Sequence, residues 1–349
     1  MVEAEPPAQA PALEDPEGFD TLSDDLVLRA CLRAPFMTHG SLHAVCQRFK
    51  SLLRSDDFRK QRLEYGLVEH GVVVAGGMRH GRTTAVSRML SEGRWRSIPP
   101  MSGPRYGACS VIIDNEMWVM GGRDDDGRAL ATVEVYSPKT NSWRSCTPMS
   151  QRRQGAVAGV VGGRLVVAGG WCDGIPNVLS SAEAYTGTGW TPLPPMPHDA
   201  WLATACVLNG RLHVIGGMQS NTHQVLEMTE ENGLAWTVKA DLPTTRYGAA
   251  SVVHDGRIWV MGGRVAGEGP TASVLTYDAE ADTWEAGPRL PTPHDFCTAT
   301  AIDGRVYLFE WEGDVWQYVG CHKYERGAWS EIPRADVQYR ATCGAVLLG

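Results

Sequence analysis

Short apolar runs recur along residues 71–349, and none is long enough to read as an ordinary helix. Five of them end in a glycine pair: VVVAGG at 72–77, WVMGG at 118–122, VVAGG at 166–170, HVIGG at 213–217 and WVMGG at 259–263. A sixth run, VYLFEWEG at 306–313, carries Glu310-Trp311 where the glycines belong. A tryptophan follows each run, at 95, 143, 190, 236, 284 and 329, so the unit is 45–48 residues long. The phrases WVMGG and RYGA, each repeated 141 residues apart, are therefore separated by three units.

One unit predicts four strands. In the fifth, YGAASVVHD leads through an Asp-Gly turn into RIWVMGG, then a polar loop, SVLTYDA and DTWEAGP. Asp-Gly between apolar runs is a hairpin signal, and the Val, Ile and aromatic content favours strands over helices. A period in the forties built from four strands predicts small sheets arrayed radially, here a mainly β, six-bladed propeller. The glycines suit left-handed backbone or a close neighbour, while each Trp and its usual partner (Tyr136, Tyr185, Tyr277, Tyr324) should fill the wedge between blades. The chain ends in YRATCGAVLLG (339–349), which matches the opening strand that the first unit lacks. That strand is expected to pair into the first blade and close the ring.

The residues before the ring change the pattern. FDTLSDDLVLRACLRAP (19–35) predicts a helix capped by Ser23, with Leu26, Ala30 and Leu32 on one face and Pro35 as its stop. SLHAVCQRFKSLL (41–53) and SDDFRKQRLEYG (55–66) predict two more, the last stopped by Gly66. Residues 1–17 hold five carboxylates, four prolines and no Lys or Arg, the composition of a solvated, disordered tail. The expected organisation is tail 1–17, a three-helix domain 18–66 and a propeller 67–349.

Charge and cysteines exclude some functions. With 32 basic and 40 acidic residues the net charge is −8, which argues against bulk attraction to nucleic acid. The N-terminus shows no secretory pattern, and no apolar run reaches the roughly 18 residues that span a membrane. Nine scattered cysteines without a CxxC pair then suggest reduced thiols in a cytoplasmic or nuclear protein. Asp124-Asp125-Asp126 lacks the alternating spacing of a calcium loop, and PHD at 197–199 and 293–295 reads as turn chemistry. No cofactor, metal or catalytic motif is expected.

The glycine pair, the Tyr, the Trp and the Arg before the opening strand resemble the kelch family over residues 71–349. The segment before them resembles an F-box, with L-x-D-D-L-x-L at 22–28 and L-x-A-V-x-x-R-F-x-S-L-L at 42–53. Ser23 and Phe49 stand where that family usually has Pro and Trp. The resemblance implies docking on a Skp1-type adaptor of a cullin ubiquitin ligase through Leu22, Leu26, Val27, Leu28, Pro35, Leu42, Val45, Cys46, Phe49 and Leu52. The order of the two parts resembles plant F-box/kelch proteins, in which the propeller binds a target protein. A helical cap whose leucines form a private core is the alternative for 18–66.

One slot per unit lies 16 residues before the first glycine: Arg105, Arg153, Ala200, Arg246 and His294, with Arg340 in the closing strand. The next position gives Tyr106, Gln154, Trp201, Tyr247 and Asp295. In kelch receptors of acidic peptides the matching slots contact ligand, so the resemblance implies substrate binding by Arg105, Tyr106, Arg153, Gln154, Trp201, Arg246, Tyr247, His294 and Arg340. The degron would then be acidic or phosphorylated. The competing reading has each Arg tying loops between blades. A kelch scaffold or cytoskeletal protein without a ligase role, and less so a propeller enzyme of the sialate-mutarotase type, are the functional alternatives.

Overall fold

Two-residue turns in left-handed backbone set the register of the sheets. Asp114-Asn115, Gly162-Gly163, Asn209-Gly210, Asp255-Gly256 and Asp303-Gly304 all have φ between 49° and 73° at both positions. Only Gly, Asn and Asp adopt such turns cheaply, and their twist matches that of the strands they join. The flanking residues pair directly, as in Ile113 with Glu116 and His254 with Arg257.

A computed structural model describes residues 51, 58, 69–79, 82–91, 94–218, 220–228, 233–312, 317–332 and 342–348. Those residues are mainly β, with helix only at Ser51 and Phe58. The expected tail and all ten F-box positions lie outside the described residues. Residues His70–Leu348 form one compact unit.

Six four-stranded antiparallel sheets are present among the described residues. The fifth runs Ala250–His254, Arg257–Met261, Val274–Asp278 and Thr283–Ala286, each strand paired with the next. The first takes its innermost strand from the other end of the chain: Thr342–Leu348 sits beside Glu69–Ala75, followed by Ser87–Ser91 and Arg94–Ile98. Innermost strands of successive sheets touch, from Cys109–Ile113 through Val157–Val161, Thr204–Leu208 and Ala250–His254 to Asp295–Ile302. Thr342–Leu348 touches both Asp295–Ile302 and Cys109–Ile113.

The core lies between the sheets. Val166, Val214, Leu212 and Leu226 are buried where the third and fourth sheets meet. The unit tryptophans fill these wedges and also latch them. The indole N–H of Trp143 donates to the Pro99 carbonyl (2.8 Å), Trp190 to Thr147 (2.9 Å), Trp236 to Pro194 (2.9 Å), Trp284 to Ala240 (2.8 Å) and Trp329 to Pro288 (3.2 Å). Each partner belongs to the preceding unit.

The glycine pairs dock the next unit. The second glycine's N–H donates to a slot carbonyl: Gly77 to Arg105 (2.7 Å), Gly122 to Arg153 (2.8 Å), Gly170 to Ala200 (2.6 Å), Gly217 to Arg246 (2.8 Å) and Gly263 to His294 (2.7 Å). A Cβ on Gly121, Gly169 or Gly216 would come within 2.4 Å of that oxygen. In the sixth sheet the strand continues through the Glu310-Trp311 position as Arg305–Glu312, and its pairing shifts between Phe309 and Trp311. Without the glycines the backbone therefore departs from the turn of the other units and runs on as extended strand.

Candidate functional site

Each described slot arginine bonds two units at once, its carbonyl to the glycine pair of one and its side chain to the sheet of the next. Arg105 donates through Nη1 to the carbonyls of Gly121 (3.2 Å) and Thr132 (3.1 Å), and through Nη2 to Glu134 (2.5 Å). Arg153 donates through Nη1 to Gly169 (2.8 Å) and Ser181 (2.9 Å), and through Nε to Glu183 (3.0 Å). Arg246 reaches the Gly262 and Ser273 carbonyls (3.2 and 3.3 Å) and the Ser273 hydroxyl (2.6 Å). Among the described residues, no carboxylate reaches Arg246. The three arginines are 2–3% exposed. Burial lowers the Arg105 and Arg246 pKa values, at Arg105 against the opposing pull of Glu134.

Those guanidinium groups are spent on the protein's own oxygens, the geometry of a tie between units. An inward guanidinium has few donors left for an external anion. His294 is also buried, with Nε2 2.5 Å from the Thr292 hydroxyl. Arg340 lies outside the described residues. The carboxylate partners were missed in the sequence, although V-E-V-Y and A-E-A-Y place Glu134 and Glu183 alike while V-L-T-Y puts Leu275 there.

The next position is the more exposed one. Tyr106, Trp201 and Tyr247 are half-buried, whereas Gln154 and Asp295 are buried. These segments pair with the loops after the glycine pairs: Tyr106 bridges Arg123, Gln154 bridges Trp171, and Tyr247 pairs with Arg264. A slot aromatic and a loop side chain therefore share one rim. The Arg123 guanidinium sits over the Trp171 ring, 5.2 Å from its centroid, and Trp171 lies 6.5 Å from Trp201. Tyr247 meets Phe296 edge-on at 6.1 Å, and Arg264 pairs with Asp295 at 3.4 Å.

Backbone bonds hold the rim residues in step. Gly155 N–H donates to Gly107, Leu202 to Gly155, Gly248 to Leu202 and Cys297 to Gly248, at 2.8–3.2 Å. The repeat wants glycine here: Gly107, Gly155 and Gly248 have φ of 60–62°. Leu202 (φ 57°) and Phe296 (φ 53°) take the same conformation with bulky side chains, a strained backbone of the kind that collects at binding sites.

Among the described residues, no three His, Cys, Asp or Glu side chains gather in reach of one metal ion. The Cys109 and Cys206 thiols are pushed up to about 12 by burial, which removes the reactive thiolate at neutral pH.

The Kelch motif model matches residues 104–150, 152–197 and 245–291, the three units that carry Arg105, Arg153 and Arg246. A putative F-box/kelch-repeat protein of Arabidopsis thaliana is 28% identical over 153 residues, covering 35% of this chain and 52% of that protein. A second F-box/kelch-repeat protein from the same plant is 30% identical over 208 residues, covering 58% and 55%. Kelch-like protein 30 of Homo sapiens is 28% identical over 102 residues, 28% of this chain and 17% of that one. The matches thus span about half the length of the two plant relatives. The solved structure titled "Structure of YjhT" superimposes with a TM-score of 0.62 at 14% identity, over 74% of this chain and 97% of that one, a likeness of fold alone. The chain carries kelch repeats and is homologous to F-box/kelch-repeat proteins.

Proposed function

We propose that this protein is the substrate-recognition subunit of an SCF-type ubiquitin ligase, a receptor with no catalytic chemistry of its own. Residues 18–66 would dock on a Skp1-type adaptor and so on a cullin. The six sheets would form a closed six-bladed propeller, a reading supported by the innermost-strand contacts returning to their start through Thr342–Leu348. The rim of Tyr106, Trp201 and Tyr247 would then hold a target protein.

The observation that carries this reading is the order of the parts, an F-box-like pattern followed by kelch repeats, which is the pairing in the names of the two plant relatives. The rim supports the receptor half, because half-buried aromatics beside an arginine are the usual anchors of protein interfaces.

The test is Leu26→Asp combined with Val45→Asp. Two unpaired charges in an apolar interface cost about several kcal/mol, so co-precipitation of a Skp1-type adaptor should vanish while β-type circular dichroism is kept. Retained adaptor binding would remove the F-box assignment. Loss of the fold would favour the private helical core instead.

A further inference from the structure

Among the described residues, two of the three exposed large hydrophobic side chains stand in neighbouring loops of the rim. Ile175 (103%) and Met218 (42%) lie in the loops after the third and fourth glycine pairs. Trp171 opens the loop that carries Ile175 and lies 6.5 Å from Trp201; both are half-buried, and Met218 N–H is anchored on the Trp201 carbonyl at 2.7 Å. Leu202, held in left-handed backbone where the repeat uses glycine, borders the same patch. Exposed apolar groups gathered in this way mark interaction surfaces.

Charge narrows the partner. Arg123 stacks on Trp171 and donates through Nε to the Gly127 carbonyl (2.6 Å), and it makes no ion pair among the described residues. Carboxylates of the neighbouring loops are already engaged. Asp124 accepts from the Arg128 backbone, Asp126 pairs with the Arg128 side chain, Asp125 accepts from Thr83 N–H, and Asp173 accepts from Ala129 N–H. Its Nη1 and Nη2 donate to no group among the described residues, which leaves those two donors to fork onto a carboxylate.

We propose that Arg123, Trp171, Ile175, Trp201, Leu202 and Met218 form a peptide subsite that takes a large apolar side chain next to an acidic residue. The apolar side chain covers the indoles and the carboxylate meets Arg123. This deepens the receptor reading of the rim and does not rest on the F-box.

The experiment uses the full chain and short synthetic peptides with Leu, Trp or Ser at the centre and Glu, Ala or Lys beside it, read by fluorescence polarisation. Peptides with an apolar centre and Glu should bind about tenfold more tightly than those with Ser–Glu or an apolar centre and Lys. Arg123→Glu should reverse the preference between Glu and Lys, and Trp201→Ala should remove binding of both, with melting curves showing that each variant folds. A preference for Lys in the unmodified chain, a Glu preference that survives Arg123→Glu, or no binding up to millimolar peptide would each overturn the proposal. Adaptor co-precipitation is scored in the same samples: peptide binding without adaptor binding would retire the ligase role and keep the subsite.

Discussion

At the scale of single residues, position decides what a charged side chain does. The four slot arginines read from the sequence either as ligand contacts or as ties between blades, because one-dimensional spacing gives a residue's place on the strand but not the direction of its side chain. The buried Glu134 and Glu183 hold Arg105 and Arg153 inward. They were hard to see since a lone Glu between apolar residues, valines at Glu134 and alanines at Glu183, reads as a solvent-facing position of the alternating pattern. Arg246 keeps the inward geometry with Leu275 in the place of that carboxylate, as Val260 pairs with Leu275 where Val119 pairs with Glu134. Two opposite outcomes follow. Glu183→Gln strands a buried guanidinium and should cost about 3–5 kcal/mol, whereas Leu275→Glu supplies Arg246 with its missing partner and should raise the melting temperature at neutral pH. Thermal unfolding of the two variants beside the unmodified chain measures both, and a stabilised Glu183→Gln would show that the ties are energetically idle.

At the scale of the element, the hairpins were legible because their turns need Gly, Asn or Asp, and five such pairs punctuate the chain. The wedge between the fourth and fifth sheets was not, because its content depends on which two surfaces meet. His213 stands three residues before its glycine pair, where the second and fifth units have Trp118 and Trp259. Its Nδ1 lies 2.9 Å from Nε2 of His223, and His223 meets Tyr277 edge-on at 4.5 Å. Burial lowers both pKa values from 6.5, His213 to about 4 and His223 to about 3, with Arg211 and Lys239 adding to the effect and Asp282 partly opposing it at His223. The sign follows directly. Between pH 6.5 and 3 the unfolded chain binds more protons than the folded one, so stability is full above pH 6.5 and falls with acidification. The loss across that window is on the order of 3 kcal/mol for His213 and 5 kcal/mol for His223. Replacing the pair with His213→Leu and His223→Phe should flatten the decline in melting temperature between pH 6.5 and 4.5. An unchanged slope would mean that other groups drive the acid unfolding.

At the scale of the whole molecule, the first and last described strands share a sheet. The repeat count and the orphan opening strand at 339–349 were readable because every other unit spells out all four strands. The continuation of the sixth strand past Phe309 was not, since losing the glycine pair says which conformation is disfavoured but not which replaces it. Thr342–Leu348 lies beside Glu69–Ala75 and touches the innermost strands of the second and sixth sheets, and the Thr342 hydroxyl bonds that of Ser110. Removing residues 342–349 would uncover Glu69–Ala75, whose Val72, Val73 and Val74 are 0–3% exposed, and leave it an unpaired edge. Burying one valine is worth about 1.5–3 kcal/mol, and a long apolar edge recruits other chains. The truncated protein should therefore elute as oligomers in size-exclusion chromatography with light scattering. A synthetic peptide of residues 339–349 added during refolding should restore the elution of the unmodified chain, because a free strand can pair with the vacant edge. If the truncated chain stays monomeric with an unchanged melting temperature, the terminal strand does not hold the first and last units together.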